Sequence, residues 1–206
     1  MSTTAPFPPL ENGGFPHAPP NAPQVRARWR RYLGVACMRL NGWRIAGNLP
    51  DIPKFVMIVA PHTSNWDFLR GILAYLALQL DTTWLAKHSV FVWPIGALAR
   101  RFGGMAIDRS RGGNIVRACV AEFARRETMS LTITPEGTRS RVKEWKLGFY
   151  YIASEAKVPI LPVALNYPAR QVMILPPFFP SGDADADLPK IKALFSSTMA
   201  RHPENF

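Results

Sequence analysis

His62 and Asp67 stand five positions apart in the stretch Ala60-Pro61-His62-Thr63-Ser64-Asn65-Trp66-Asp67. An imidazole beside a carboxylate suits the removal of a proton from a hydroxyl. The neutral ring takes the proton as the oxygen attacks a carbonyl. A carboxylate on the other ring nitrogen fixes the tautomer and stabilises the imidazolium. The nucleophile is then supplied by a substrate. Spacing restricts where the pair can form. Inside one helix, five residues turn through about 500°, which leaves the two side chains about 140° apart. They meet only if His62 lies in a loop and Asp67 in the first turn of the helix that follows. The same stretch also reads without chemistry. Ser64 at the N-cap and Asp67 at the third helical position make a capping box, and His62 is then an ordinary loop histidine. The two readings are compatible, because a cap holds Asp67 where an orienting carboxylate has to be.

The flanking elements fit that junction. Lys54 to Ala60 is a nearly continuous apolar run, the pattern of a buried strand. Phe68, Leu69, Ile72, Leu73, Leu76 and Leu80 then recur at helical spacing and predict a helix over about 65–80. Further strands are expected at 82–87, 104–109, 130–134, 158–165 and 172–175. Helices are expected at 91–101, 114–127 and 145–156, then a loop at 181–187 and a last short helix within 188–201. Pro159 and Pro162 suit the start of a strand or an edge position. The alternation predicts a single α/β domain, a mostly parallel sheet flanked by helices. In such a sheet ligands bind beyond the carboxyl ends of the strands. Those ends carry His62, Lys87, Arg109 and Glu136-Gly137-Thr138-Arg139. A base, cations and a turn therefore converge on one edge. Taken singly, Thr134-Pro135-Glu136-Gly137 is a type I turn and each cation a solvated surface charge.

Ahead of the first strand the chain changes character twice. Residues 1–23 carry Pro6, Pro8, Pro9, Pro16, Pro19, Pro20 and Pro23 and predict a disordered arm before a domain at 24–206. Over 25–44, Val25, Trp29, Tyr32, Leu33, Ala36, Leu40 and Trp43 share one arc of a helix bordered by Arg26, Arg28, Arg30, Arg31 and Arg39. Such an amphipathic helix suits the interface of an anionic bilayer. It equally suits a surface helix that packs the arc on its own core.

Composition bounds the partners. With 206 residues, 48% of them hydrophobic, the chain is long enough for one substantial core. The 25 Lys and Arg outweigh 14 Asp and Glu to give +11, which favours anionic partners: nucleic acid, an anionic membrane or phosphorylated substrates. Cys37 and Cys119 read as reduced thiols. No run reaches a membrane-spanning length, and no secretory signal is expected. Nucleotide-binding loops and clustered metal ligands are absent from the sequence, so neither a cofactor nor a metal is indicated.

Four blocks together resemble the glycerolipid acyltransferase superfamily, the 1-acylglycerol-3-phosphate acyltransferase-like proteins with a His-x4-Asp motif. His62 to Asp67 is similar to the first motif, Gly104 to Arg109 to the second, Pro135 to Ser140 to the third and Val158 to Leu165 to the fourth. Pro61 stands where the family often has asparagine, and Thr134 where phenylalanine is common. The resemblance implies acyl transfer from an acyl thioester, acyl-CoA or acyl-carrier protein, to a hydroxyl of a lysophospholipid-like acceptor, most simply 1-acylglycerol 3-phosphate, in phospholipid biosynthesis. It implies His62 as general base, Asp67 as its orienting group, and direct attack without an acyl-enzyme. Arg139 and Lys87 would bind the acceptor's phosphate with help from Arg109, and Glu136, Gly137 and Thr138 would shape that site. The helix at 25–44 would make the protein peripheral on the cytoplasmic side of the cell membrane. Two other readings stay open. One keeps the acyl transfer but changes the acceptor to an aminoacyl lipid or a glycolipid. The other is a non-catalytic basic module holding nucleic acid or membrane, which the acids near the site disfavour for nucleic acid.

Overall fold

The computed structural model describes residues 12–87, 92, 96–97, 103–107 and 112–206. Its centre is a seven-stranded sheet: β1 (Arg44–Ala46), β2 (Lys54–Ala60), β3 (Thr83–Lys87), β4 (Gly104–Ile107), β5 (Met129–Ile133), β6 (Ile160–Asn166) and β7 (Gln171–Ile174), in the order β1-β7-β6-β2-β5-β3-β4. Every neighbouring pair is parallel except β6 and β7. The expected mostly parallel α/β domain is what forms. Among the described residues five α-helices flank the sheet: α1 (Arg28–Leu40), α2 (Asn65–Leu78), α3 (Gly112–Arg125), α4 (Gly148–Ala156) and α5 (Ala184–Lys192).

β2 is buried on both faces, and its side chains divide with the period of two that a strand imposes. Phe55, Met57 and Val59 join one core with Met38 of α1 and Leu73, Ala74 and Ala77 of α2. Val56, Ile58 and Ala60 join the other with Cys119 and Phe123 of α3, Phe149 and Ile152 of α4 and Ile191 of α5. That double coverage explains the unbroken apolar run in the sequence. β2 pairs with β5 on one side and β6 on the other, with Ile58 opposite both Ile133 and Pro162. Their carboxyl ends therefore open onto one edge.

Pro162 thus stands in an interior strand, not at an edge. Its carbonyl still accepts from the Leu175 N–H at 3.0 Å, and the missing donor is the only concession. The last helix also begins earlier than expected. Asp183 caps it, accepting from Asp185 and Ala186 N–H, and Asp185 and Asp187 favour its positive end. The stretch expected to be a loop at 181–187 is therefore its cap and first turn. The short helix expected at 91–101 lies largely outside the described residues.

α1 packs tightly along α2. A Cβ on Gly34 would lie 2.3 Å from the Ala77 backbone nitrogen, so only glycine permits this approach. Arg31 of α1 donates to the carbonyls of Ala77, Phe15 and Pro16 at 2.6, 2.8 and 3.0 Å. Phe15 and Ala22 are buried. The described part of the proline-rich arm, residues 12–23, is accordingly strapped to the domain and not free of it, because Arg31 satisfies its carbonyls and Phe15 enters the core.

The apolar arc of α1 does not pack on the core. Trp29, Tyr32, Leu33 and Leu40 are 57, 72, 47 and 87% exposed, while Gly34 and Met38 form the buried side. Trp43, expected on the arc, lies beyond the helix and is buried.

Candidate active site

The junction after β2 is built from one carboxylate. Ser64 caps α2, its Oγ accepting from Trp66 N–H at 3.2 Å, and Asp67 in the first turn completes the capping box. Asp67 Oδ2 accepts from the backbone N–H of Thr63 and Ser64 at 2.7 and 2.8 Å. The same oxygen lies 3.3 Å from His62 Nδ1. The cap and the orienting group are one side chain. With Nδ1 turned to Asp67, Nε2 is the ring nitrogen left for a substrate proton. The His62 side chain is 20% exposed and Asp67 1%, so the imidazole reaches the cleft while its partner stays dry.

Asp67 Oδ1 is held separately. The Tyr167 hydroxyl, one residue past β6, donates to it at 2.5 Å. Tyr167 meets Trp43 edge-on with ring centroids 4.9 Å apart. Burial alone raises a carboxyl's pKa, but the bonds from His62, Tyr167 and Ser64 outweigh it and hold Asp67 below its usual range. Burial and the Asp67 charge drive the Tyr167 phenol well above its ordinary value, so it stays a donor. Nothing in the local motif pointed to Tyr167. The available signal was its position, at the carboxyl end of the strand beside β2.

The turn after β5 supplies the next residues. Gly137 N–H returns to the Thr134 carbonyl at 3.1 Å. Gly137 has φ of 67°, and a Cβ there would press on Lys146 at 3.0 Å. Glu136 faces away from the cleft. It is 2% exposed, and its Oε1 accepts the His62 backbone N–H at 2.8 Å. Its other oxygen has no partner among the described residues, and burial pushes its pKa up to about 7. Its place is behind the His62 loop, where it holds the backbone. The turn directs it inward as Gly137, Thr138 and Arg139 continue outward, so it supports the loop from behind and does not line the cleft.

A cleft of about 580 Å³ lies over His62 and Asp67. Thr134, Gly137, Thr138 and Arg139 form one side of it, and Phe68, Tyr75, Trp84 and Leu85 give it an apolar wall. Phe68 meets Trp84 edge-on at 5.3 Å. The structure thus brings together His62, Asp67, Gly137, Thr138 and Arg139. Lys87 ends β3 on the same edge of the sheet. Arg109 lies outside the described residues. Among the described residues no group of His, Cys, Asp and Glu is arranged to hold a metal.

An imidazole oriented by a capping carboxylate, at the carboxyl edge of an α/β sheet and over a cleft with an apolar wall, is an arrangement that can accept a proton from a hydroxyl. The chain belongs to the acyltransferase family, whose model matches residues 45–166. It is 31% identical over 121 residues to the 1-acyl-sn-glycerol-3-phosphate acyltransferase of Salmonella typhimurium, covering 55% of this chain and 48% of that protein. It is 35% identical over 154 residues to the enzyme of that name from Cocos nucifera, covering 70% and 49%. The chain thus spans about half the length of these curated relatives. The crystal structure of the 1-acyl-sn-glycerophosphate (LPA) acyltransferase PlsC from Thermotoga maritima superimposes with a TM-score of 0.60 at 19% identity, over 82% of this chain and 80% of that one. That likeness bears on the fold.

Proposed function

We propose that the protein transfers a fatty acyl group from an acyl thioester to the hydroxyl of 1-acylglycerol 3-phosphate or a closely similar lysolipid. The observation that carries this reading is the joint lining of one cleft. His62 stands beside Asp67, the exposed Arg139 guanidinium is on one side, and the Phe68, Tyr75, Trp84 and Leu85 wall is on the other. The cleft offers a base for the hydroxyl, a cation for a phosphate and an apolar surface for a chain.

The chemistry then follows the geometry. His62 Nε2 takes the acceptor's hydroxyl proton as its oxygen attacks the thioester carbonyl. Asp67 stabilises the imidazolium through Nδ1. The tetrahedral intermediate collapses with cleavage of the carbon–sulfur bond, and the imidazolium returns the proton to the departing thiolate. Arg139 grips the acceptor's phosphate with two parallel bonds. Lys87 and Arg109 are assigned to support it. Acyl-CoA or acyl-carrier protein supplies the acyl group.

The exposed arc of Trp29, Tyr32, Leu33 and Leu40 supports docking on an anionic membrane face. No helix among the described residues is long and apolar enough to cross a bilayer. The reading is tested by offering labelled acyl-CoA and acyl-carrier protein with lysophosphatidic acid, an aminoacyl lysolipid and a lysoglycolipid, and identifying products by mass spectrometry. Acylated lysophosphatidic acid is the expected product. Transfer only to another acceptor, or none at all, refutes the assignment.

A further inference from the structure

A second cationic surface lies on the other side of α2. By helical periodicity Asn65, Phe68, Gly71 and Tyr75 form the stripe that lines the cleft, and Trp66 and Arg70 lie roughly opposite it. The Arg70 guanidinium carbon is 5.0 Å from the centre of the Trp43 ring and 6.0 Å from that of Trp66. Arg201 approaches the same Trp66 ring at 5.3 Å. Arg170, in the β6–β7 turn, extends its guanidinium over Gly42, where a Cβ would lie 3.0 Å from Nη1.

Two of these charges act on the third. Burial lowers the pKa of Arg70, Tyr167 opposes this, and the charges of Arg201 and Arg170 lower it further. Among the described residues none of the three forms an ion pair. Arg70 Nε is buried without a hydrogen-bond partner. The neighbouring carboxylate, Asp67, is already occupied by Thr63, Ser64, His62 and Tyr167. Arg170 also holds a left-handed backbone, φ of 52°, where glycine or asparagine is relaxed. Like charges gathered without a counter-ion repel, and arginines stacked on indoles keep their planar forks free for bidentate bonds.

We propose that Arg70, Arg170 and Arg201, framed by Trp66 and Trp43, form an anion site for a phosphoryl group, separate from the acceptor phosphate assigned to Arg139. That group has two sources: the headgroup of an anionic bilayer lipid, or the phosphates of coenzyme A. The second source rests on the acyl-transfer reading; the first does not.

Binding is measured without turnover. Calorimetry gives the affinity for coenzyme A. Co-sedimentation compares phosphatidylcholine–phosphatidylglycerol vesicles with pure phosphatidylcholine vesicles. The test variant is R170A/R201A, since both residues are exposed; R170K/R201K is its control. We expect the double alanine variant to weaken binding on the order of 100-fold, about 10-fold for each arginine, with partial recovery by lysine. Loss for coenzyme A alone identifies the donor's phosphates, loss for anionic vesicles alone a lipid headgroup, and loss of both a site open to either. Wild-type binding of coenzyme A is itself a check on the acyl-transfer reading. Unchanged affinity for both ligands in the double alanine variant, or no binding of either by the wild type, overturns the site.

Discussion

Tyr167→Phe isolates the contact the site depends on most at a distance. The substitution removes one oxygen and leaves the ring against Trp43. Asp67 Oδ1 then loses the 2.5 Å bond it accepts and has no other partner among the described residues. A hydrogen bond to a charged group is worth about 1.5–3 kcal/mol, and the carboxylate is too buried for water to replace it readily. Stability is expected to fall by that amount. Asp67 also loses one of the contacts that fix its orientation, and kcat falls about 10-fold, with acceptor KM little changed. The assay is initial rates at varied acceptor concentration alongside urea unfolding. A stability loss with kcat unchanged would make Tyr167 a packing residue only.

Three further outcomes follow from the same geometry. Burial raises Glu136 to about 7 from an ordinary 4.5, so its contribution to stability is full below the unfolded value and is lost as pH rises through 7. Wild type should lose about 2.5 kcal/mol relative to Glu136→Gln between pH 5 and 8; parallel urea midpoints for the two proteins would contradict this. Arg139→Ala should raise the acceptor's KM or lower kcat/KM by about 10- to 150-fold with partial rescue by lysine, and an effect confined to the donor's KM would reassign the residue. Replacing Trp29, Tyr32, Leu33 and Leu40 together by serine should weaken binding to anionic vesicles on the order of 1,000-fold, taking roughly 1 kcal/mol for each side chain; unchanged co-sedimentation would place the membrane contact elsewhere.

The sequence displayed what is local. The change of period at Ala60 located His62 in a loop and Asp67 in a first turn, and the capping box named the residue that holds both. The parallel sheet followed from alternation, and with it the edge where His62 and the Glu136–Arg139 turn meet. Contacts made across the sheet were not displayed. Tyr167 reaches Asp67 from a hundred positions away because β6 lies beside β2. Arg70, Arg170 and Arg201 come from three segments whose proximity no spacing records. The orientation of Glu136 was hidden as well, since a turn signal says where the chain reverses and not which side chains turn inward. β1 escaped because three residues are too few to show a period, and the start of α5 because the acids of its first turn resemble a loop until Asp183 is seen as its cap.

The assignment of His62 as general base for acyl transfer is open to single-turnover kinetics of His62→Ala. Purified wild type and variant are mixed with a labelled acyl thioester and lysophosphatidic acid, and formation of the acylated product is followed in time. The imidazole sits in a loop and is partly exposed, so the melting temperature should barely move. The rate of product formation should fall about 10²–10⁴-fold, the usual contribution of a positioned base. A folded variant that forms product at a near wild-type rate would contradict the account.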